Sequence, residues 1–221
     1  MIGQRVVHVW MLPTRHTRQL ESFLDDNERE RMSRLRDRRR QLEFAAVHGA
    51  VRGILSAYLA MPPRAIRLRR GPWGKPETDG LRFNLSHCSG AALLAVTRCR
   101  DVGIDVEGRR LRLDVARFAD RFLPGEEGSM ISALPPAARQ EAFLRLWTRR
   151  EAVVKAAGGR LVRGLRMSVS ADVVVGFSGS WRVYDLDGPA GCAAALAVRG
   201  AAPCTIRWPQ RPELPEGEQS R

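Results

Sequence analysis

VGIDVEGRR, Val102 to Arg110, is the stretch on which the reading of the fold turns. It alternates as a strand does, so Asp105 and Glu107 point to one face while Ile104 and Val106 point to the other, toward a core. Two carboxylates side by side repel each other and need a cation, a proton or water. Oxygen ligands of this kind suit Mg²⁺, which keeps waters and bridges to phosphates. Taken alone, the pair reads more readily as a solvated strand end whose acids meet Arg109 or Arg110.

Downstream, the sequence from about Leu113 to Gly158 has a helical pattern that ends in WTRREAVVKAAGG, Trp147 to Gly159. Trp147, Glu151 and Lys155 recur every four residues along one ridge of that helix. An ordinary Glu–Lys surface pair is worth only a few tenths of a kcal/mol. The choice of lysine is nonetheless unusual. Of 37 Lys+Arg residues only Lys75 and Lys155 are lysines. An ammonium is a compact charge that can donate a proton or sit on a phosphate oxygen, whereas a guanidinium almost never gives up its proton.

The rest of the chain alternates helical and strand patterns. Val6 to Leu12 reads as a first strand, and Leu20 to about Leu59 as helix, stopped at Met61–Pro63. Strands are expected at Ala65–Arg70, in LRFNLSH, at Ala92–Arg98, at VGIDVE, and at Ser168–Val175, Trp181–Asp185 and Cys192–Val198. GAALLAV (Gly90–Val96) resembles CAAALAV (Cys192–Val198), and FLDDNERERMSRL (Phe23–Leu35) resembles FLPGEEGSMISAL (Phe122–Leu134), at offsets of 102 and 99 residues. Two matches at nearly one offset point to a duplicated module of about a hundred residues. The expected fold is α+β, with two similar halves at residues 1–101 and 102–208, a mobile Pro- and Glu-rich tail at 209–221, and a ligand between the halves.

Composition bounds the function. The chain has 221 residues, 44% hydrophobic and 28% charged, with a formal net charge of +13. That is enough apolar residue for a real core, and a field that favours an anionic partner. Four cysteines without CxxC spacing argue for buried or incidental thiols in a reducing compartment. No signal peptide or membrane-spanning run is legible, so a soluble cytoplasmic protein is expected. Arg29, Arg31, Arg34, Arg36, Arg38, Arg39 and Arg40 form a basic cluster, either a solvated helix face or an anion site. A nucleic-acid-binding protein would fit the charge, but aromatic residues are only 6% and no stacking platform is legible. Lys75 sits in a Gly/Pro loop that is not a Walker loop. Asn84, Ser86 and His87 lie in FNLSHCSG, where no GxSxG elbow supports a hydrolase.

The order WGKPE, FNLSH, GIDVE, RFLPGEE, LWTRREAVVKAAGGRL resembles the 4′-phosphopantetheinyl transferases of the Sfp type, from about Phe23 to Val198. The resemblance implies two pseudo-twofold-related halves with coenzyme A in the cleft. It also implies transfer of the phosphopantetheine arm of coenzyme A to a serine of an acyl or peptidyl carrier protein. Asp105, Glu107 and Glu151 match the family's Mg²⁺ ligands, and Glu151 also its general base. Lys155 would sit on the pyrophosphate rather than chiefly on Glu151. Arg70 and Lys75 would hold phosphate; Asn84, Ser86 and His87 match the nucleotide-lining segment; Arg31 and Arg39 lie where basic residues surround the 3′-phosphate. Arg150 stands where the family usually has Lys, Cys88 where Ser often follows the SH pair, and His48 where many relatives have Arg. The resemblance implies acidic carrier proteins as partners, docking around Arg112–Leu134, with no nucleic acid or membrane partner and a monomeric chain. A nucleic-acid-binding protein and a metal-dependent nucleotide phosphohydrolase are the competing readings.

Overall fold

The computed structural model describes residues 2–71, 73–109 and 114–210. A first strand, β1 (Val6–Met11), leads into three helices, α1 (Arg18–Ser22), α2 (Asp26–Ser33) and α3 (Arg38–Leu59). Two short strands, β2 (Arg69–Arg70) and β3 (Pro76–Glu77), form a hairpin, followed by β4 (Arg82–Cys88), β5 (Ala91–Thr97) and β6 (Val102–Gly108). Four helices follow, α4 (Val115–Phe122), α5 (Gly125–Ala133), α6 (Pro136–Ala156) and α7 (Leu161–Gly164). The order closes with β7 (Val173–Gly176), β8 (Gly179–Leu186), β9 (Cys192–Arg199) and β10 (Thr205–Arg207). Among the described residues no helix is long and apolar enough to cross a membrane.

Local chemistry sets the helix ends. The Asp37 carboxylate accepts from the backbone N–H groups of Arg39 and Arg40 and starts α3, whose C-cap, Ala60, turns left-handed. Asp25 and Glu28 form a reciprocal capping box at the start of α2. Pro136 occupies the first turn of α6, where its missing N–H costs nothing.

The strands build two four-stranded sheets, ordered β10-β1-β5-β4 and β6-β9-β8-β7. The apolar residues of β5 show how both faces are used. Ala92, Leu94 and Val96 pack with α3, while Ala91, Leu93 and Ala95 join Val7 and Val9 of β1, Ile104 and Val106 of β6 and Leu196 of β9 in a cluster between the sheets. Strand β9 does the same, sending Ala195 and Ala197 toward α6 and Ala194, Leu196 and Val198 into the shared cluster. The layers therefore run helix, sheet, sheet, helix.

A pair of buried ionic clusters marks the repeat in three dimensions. In the first half Arg52 of α3 bonds Asp25 and Glu28 and donates to the carbonyls of Pro63 and Ile66. In the second, Arg150 of α6 bonds Glu127 of α5 and donates to the carbonyls of Gly164 and Met167. Both arginines are fully buried. The sequence comparison aligned α2 with α5 and β5 with β9; the arginine clusters add α3 and α6.

Three expectations need correction. Ala65–Arg70 is strand only at Arg69–Arg70, because the Ile66 carbonyl is held by Arg52 instead of a neighbouring strand. Strand β7 begins at Val173 rather than Ser168: the Ser168 hydroxyl and the Val169 N–H are bound to Glu127, outside any ladder. Strand β10 was not anticipated, and it runs parallel beside β1, so residues assigned to the second half complete the first sheet. Of the tail at 209–221, residues 211–221 lie outside the described residues, as do Arg110 to Leu113 at the start of the expected carrier-docking segment.

The first cluster carries a pH prediction. Burial alone would raise the Glu28 carboxyl, but hydrogen bonds and charges from His48 and Arg52 outweigh it and hold its pKa below the ordinary 4.5. A carboxyl depressed in the folded state contributes stability that is complete above its unfolded value and is lost as pH falls through the folded one. Urea midpoints of the wild type should therefore drop between pH 5 and pH 3 by more than those of Glu28→Gln, which lacks this titration. Equal drops would exclude it.

Candidate active site

The site forms where β6 meets α6. On the face of β6 opposite Ile104 and Val106 stand Gly103, Asp105 and Glu107. A Cβ on Gly103 would lie 2.1 Å from the Ala152 carbonyl oxygen and 2.3 Å from the Ala156 nitrogen. The glycine is what lets α6 lie directly on the strand. That approach sets Lys155 against Asp105, with Nζ 2.6 Å from Oδ1.

Ser86 of β4 completes the contact from the other half. Its hydroxyl donates to Asp105 Oδ1 at 2.9 Å and accepts from Lys155 Nζ at 3.0 Å and from the Val106 N–H at 3.3 Å. Asp105 is 2% exposed, and its Oδ2 is buried with no hydrogen-bond partner. Burial and the Asp105 charge push the Glu107 carboxyl above its usual range, against Lys155. Burial and the Asp105 charge also raise Glu151, against Lys155, with Glu107 adding to the rise. Three carboxylates thus crowd one ammonium. An orphaned buried oxygen beside two raised carboxyls is a hard-oxygen donor set short of positive charge, and it fits a divalent cation such as Mg²⁺. As the side chains stand, no group of three or more His, Cys, Asp or Glu residues among the described ones is arranged to hold a metal ion.

Basic residues line the adjoining cavities. One, of 840 Å³, is bounded by Arg31, Arg34, Arg39, Arg40, His48 and His87, among others. A second, of 540 Å³, shares Arg31, His48 and His87 and adds Arg70. Burial and the nearby Arg70 charge lower the Arg31 pKa, partly offset by Glu28 and Asp25. Burial, His48 and Lys155 lower His87, partly offset by Glu43. His48 stacks on Phe44 at 4.0 Å and places Nδ1 3.5 Å from the Glu28 carboxylate. A third cavity, of 670 Å³ between Arg163 and Phe177, contains none of the expected site residues.

The structure thus brings Asp105, Glu107, Glu151 and Lys155 together, and gathers Arg31, Arg39, Arg70 and His87 around the basic cavities. Three residues expected to contact coenzyme A have partners within the chain. The Asn84 side chain is buried and accepts from the Ile104 N–H at 2.9 Å, and Ser86 is held by Asp105 and Lys155, so neither lines a cavity. Lys75 donates to the carbonyls of Val102 at 2.9 Å and Ala156 at 3.2 Å. Its ammonium caps the C-terminal end of α6 and ties the first half to the second. The polar residues of FNLSH therefore join the halves, and only His87 among them faces the anion cavities.

Sequence reasoning missed the Arg150–Glu127 cluster. It left open whether Arg150 does the work of the usual lysine in the chemistry; the buried pair with Glu127 makes it a structural residue. The repeat carried the signal, since Arg52 and Glu28 stand at matching positions in the first half.

The model of the 4′-phosphopantetheinyl transferase superfamily matches residues 101–206. A 4′-phosphopantetheinyl transferase, HetI, of Nostoc sp. is 30% identical over 208 residues, covering 88% of each chain. The 4′-phosphopantetheinyl transferase psf-1 of Bacillus pumilus is 33% identical over 154 residues, 66% of this chain and 63% of that one. AcpT of Escherichia coli K12, also a 4′-phosphopantetheinyl transferase, is 36% identical over 111 residues, 50% of this chain and 56% of its own. With the two-half α+β architecture and the carboxylate–lysine site between β6 and α6, these matches make the chain a member of the 4′-phosphopantetheinyl transferase superfamily, of the Sfp type.

Proposed function

We propose that the site between β6 and α6 catalyses Mg²⁺-dependent transfer of phosphopantetheine from coenzyme A to a serine of an acidic acyl or peptidyl carrier protein. The observation that carries this reading is the open donor set: Asp105 Oδ2 without a partner beside two raised carboxyls, next to cavities walled by arginine and histidine. The basic cavities suit the 3′-phosphate and pyrophosphate of coenzyme A, with Arg31, Arg39, Arg70 and His87 as their contacts. A Mg²⁺ held by Asp105, Glu107 and Glu151 would neutralise charge on the pyrophosphate.

Glu151 takes the proton of the carrier serine, directly or through water. The serine oxygen forms a bond to the phosphorus that bears the pantetheine arm. The bond from that phosphorus to the oxygen of the nucleotide phosphate breaks, and adenosine 3′,5′-bisphosphate leaves. Lys155, anchored by Asp105 and Ser86, stands ready to place positive charge on the leaving phosphate.

The test is a mass measurement. Incubated with coenzyme A, Mg²⁺ and apo carrier proteins, the enzyme should add one phosphopantetheine to the carrier, and chelation should stop the addition. No mass gain on several apo carriers would sink the reading. Gain undiminished by chelation would remove the metal from it.

A further inference from the structure

Strand β4 presents alternate residues, Asn84, Ser86 and Cys88, toward the second half. The first accepts from the Ile104 N–H and the second from the Val106 N–H. The halves are thus joined here by a ladder in which side chains of β4 replace backbone carbonyls. The next position in the same parity is Cys88, opposite the end of β6. There Gly108 pairs in register with Cys192 of β9. The third rung is a contact between sulfurs: Cys88 Sγ and Cys192 Sγ are 3.9 Å apart. Both side chains pack against the apolar cluster between the sheets, and Cys88 also lines the larger basic cavity beside His87.

We propose that Cys88 and Cys192 are a redox modification site, a thiol pair that a peroxide closes into a reversible disulfide between the two halves. The sulfurs need to approach by about 2 Å to reach a bond of roughly 2.05 Å. Both lie at strand ends, Cys88 closing β4 and Cys192 opening β9, where little ladder resists the shift. One sulfur attacks the peroxide O–O bond and becomes a sulfenic acid, and the first oxygen leaves as water or alcohol. The second sulfur then attacks the sulfenic sulfur, the S–S bond forms, and the S–OH oxygen leaves as water with the second thiol's proton. Two electrons pass from the sulfur pair to the peroxide. Burial, Cys192 and the nearby Glu107 and Asp105 charges push the Cys88 thiol up to about 12. The pair stays reduced until an oxidant is supplied.

The bridge would close the halves covalently at the edge of the basic cavity, and it is independent of which reaction the site performs. The test treats the full-length chain with hydrogen peroxide, blocks remaining thiols by alkylation and maps disulfides by mass spectrometry. A single intramolecular link between Cys88 and Cys192, with loss of two hydrogens, is expected. It should be removed by dithiothreitol, absent in Cys192→Ser, and kept in Cys99→Ser, since Cys99 is exposed and away from the pair. The oxidised wild type should unfold at higher urea than the reduced one, and Cys192→Ser should show no such shift. Alkylation of both Cys88 and Cys192 after peroxide treatment, or links among other cysteines, would overturn the site. A mapped link without a shift in midpoint would overturn its tie between the halves.

Discussion

Asp105→Asn should lower the rate of carrier modification on the order of a thousandfold while leaving the chain folded. The asparagine keeps the shape of the side chain and a carbonyl oxygen for Ser86 and Lys155. It removes the negative charge that anchors the ammonium at 2.6 Å, and it removes the buried Oδ2 carboxylate oxygen that has no other partner. The effect on stability should be small, and of either sign. The Lys155 contact weakens, but repulsion of Glu107 and Glu151 is relieved, since both are raised by the Asp105 charge. Asp105→Ala should be at least as inactive, because Lys155 then loses its main anchor. Steady-state transfer to an apo carrier and a thermal melt decide the matter together. A variant that transfers at the wild-type rate would remove Asp105 from the chemistry. One that is inactive because it is unfolded would show that the carboxylate is structural.

Arg150→Met should cost about 3–5 kcal/mol, the range for breaking a buried pair by removing one partner. The guanidinium is fully buried; it bonds Glu127 and donates to the carbonyls of Leu146, Gly164 and Met167. Methionine fills much of the volume but leaves the Glu127 carboxylate buried, with only Ser168 and the Val169 N–H as partners. Against a total stability of about 5–15 kcal/mol this is a large fraction. Glu127→Gln in the same chain should restore part of the loss, since it removes the unpaired charge but not the orphaned carbonyls. Arg150→Lys should fall between, with three donors in place of the planar fork. Urea denaturation measures the ordering. If Arg150→Met keeps its midpoint and loses transfer, the residue belongs to the reaction after all.

The two outcomes separate what was legible in the sequence from what was not. Asp105 and Glu107 could be read as neighbours on one strand face because side chains alternate along a strand whatever surrounds it. Glu151 and Lys155 could be read as neighbours on one helix ridge for the same kind of local reason. The duplicated module was visible in two matched segments. Strand β10 was not, because three residues carry no periodicity and its partner β1 lies about two hundred residues earlier. The roles given to Asn84, Ser86 and Lys75 came from their place in a motif order, and motif order does not say whether a side chain faces a cleft or the other half of its own chain.

By itself, then, the sequence determined the family and the α+β class, and it made the repeat and a cluster of Asp105, Glu107, Glu151 and Lys155 legible. Those follow from local periodicity and from motifs whose spacing is kept within one strand or one helix. Tertiary structure alone decided that Gly103 lets α6 lie on β6, that Lys155 meets Asp105 rather than Glu151, and that Ser86 holds both. It alone showed Lys75 capping α6 and Arg150 inside a buried ion pair. The physical reason is the same in each case. A charged or polar side chain has several possible partners at similar distances along the chain, and close packing selects among them by excluding water and leaving one geometry in which the buried group is paired.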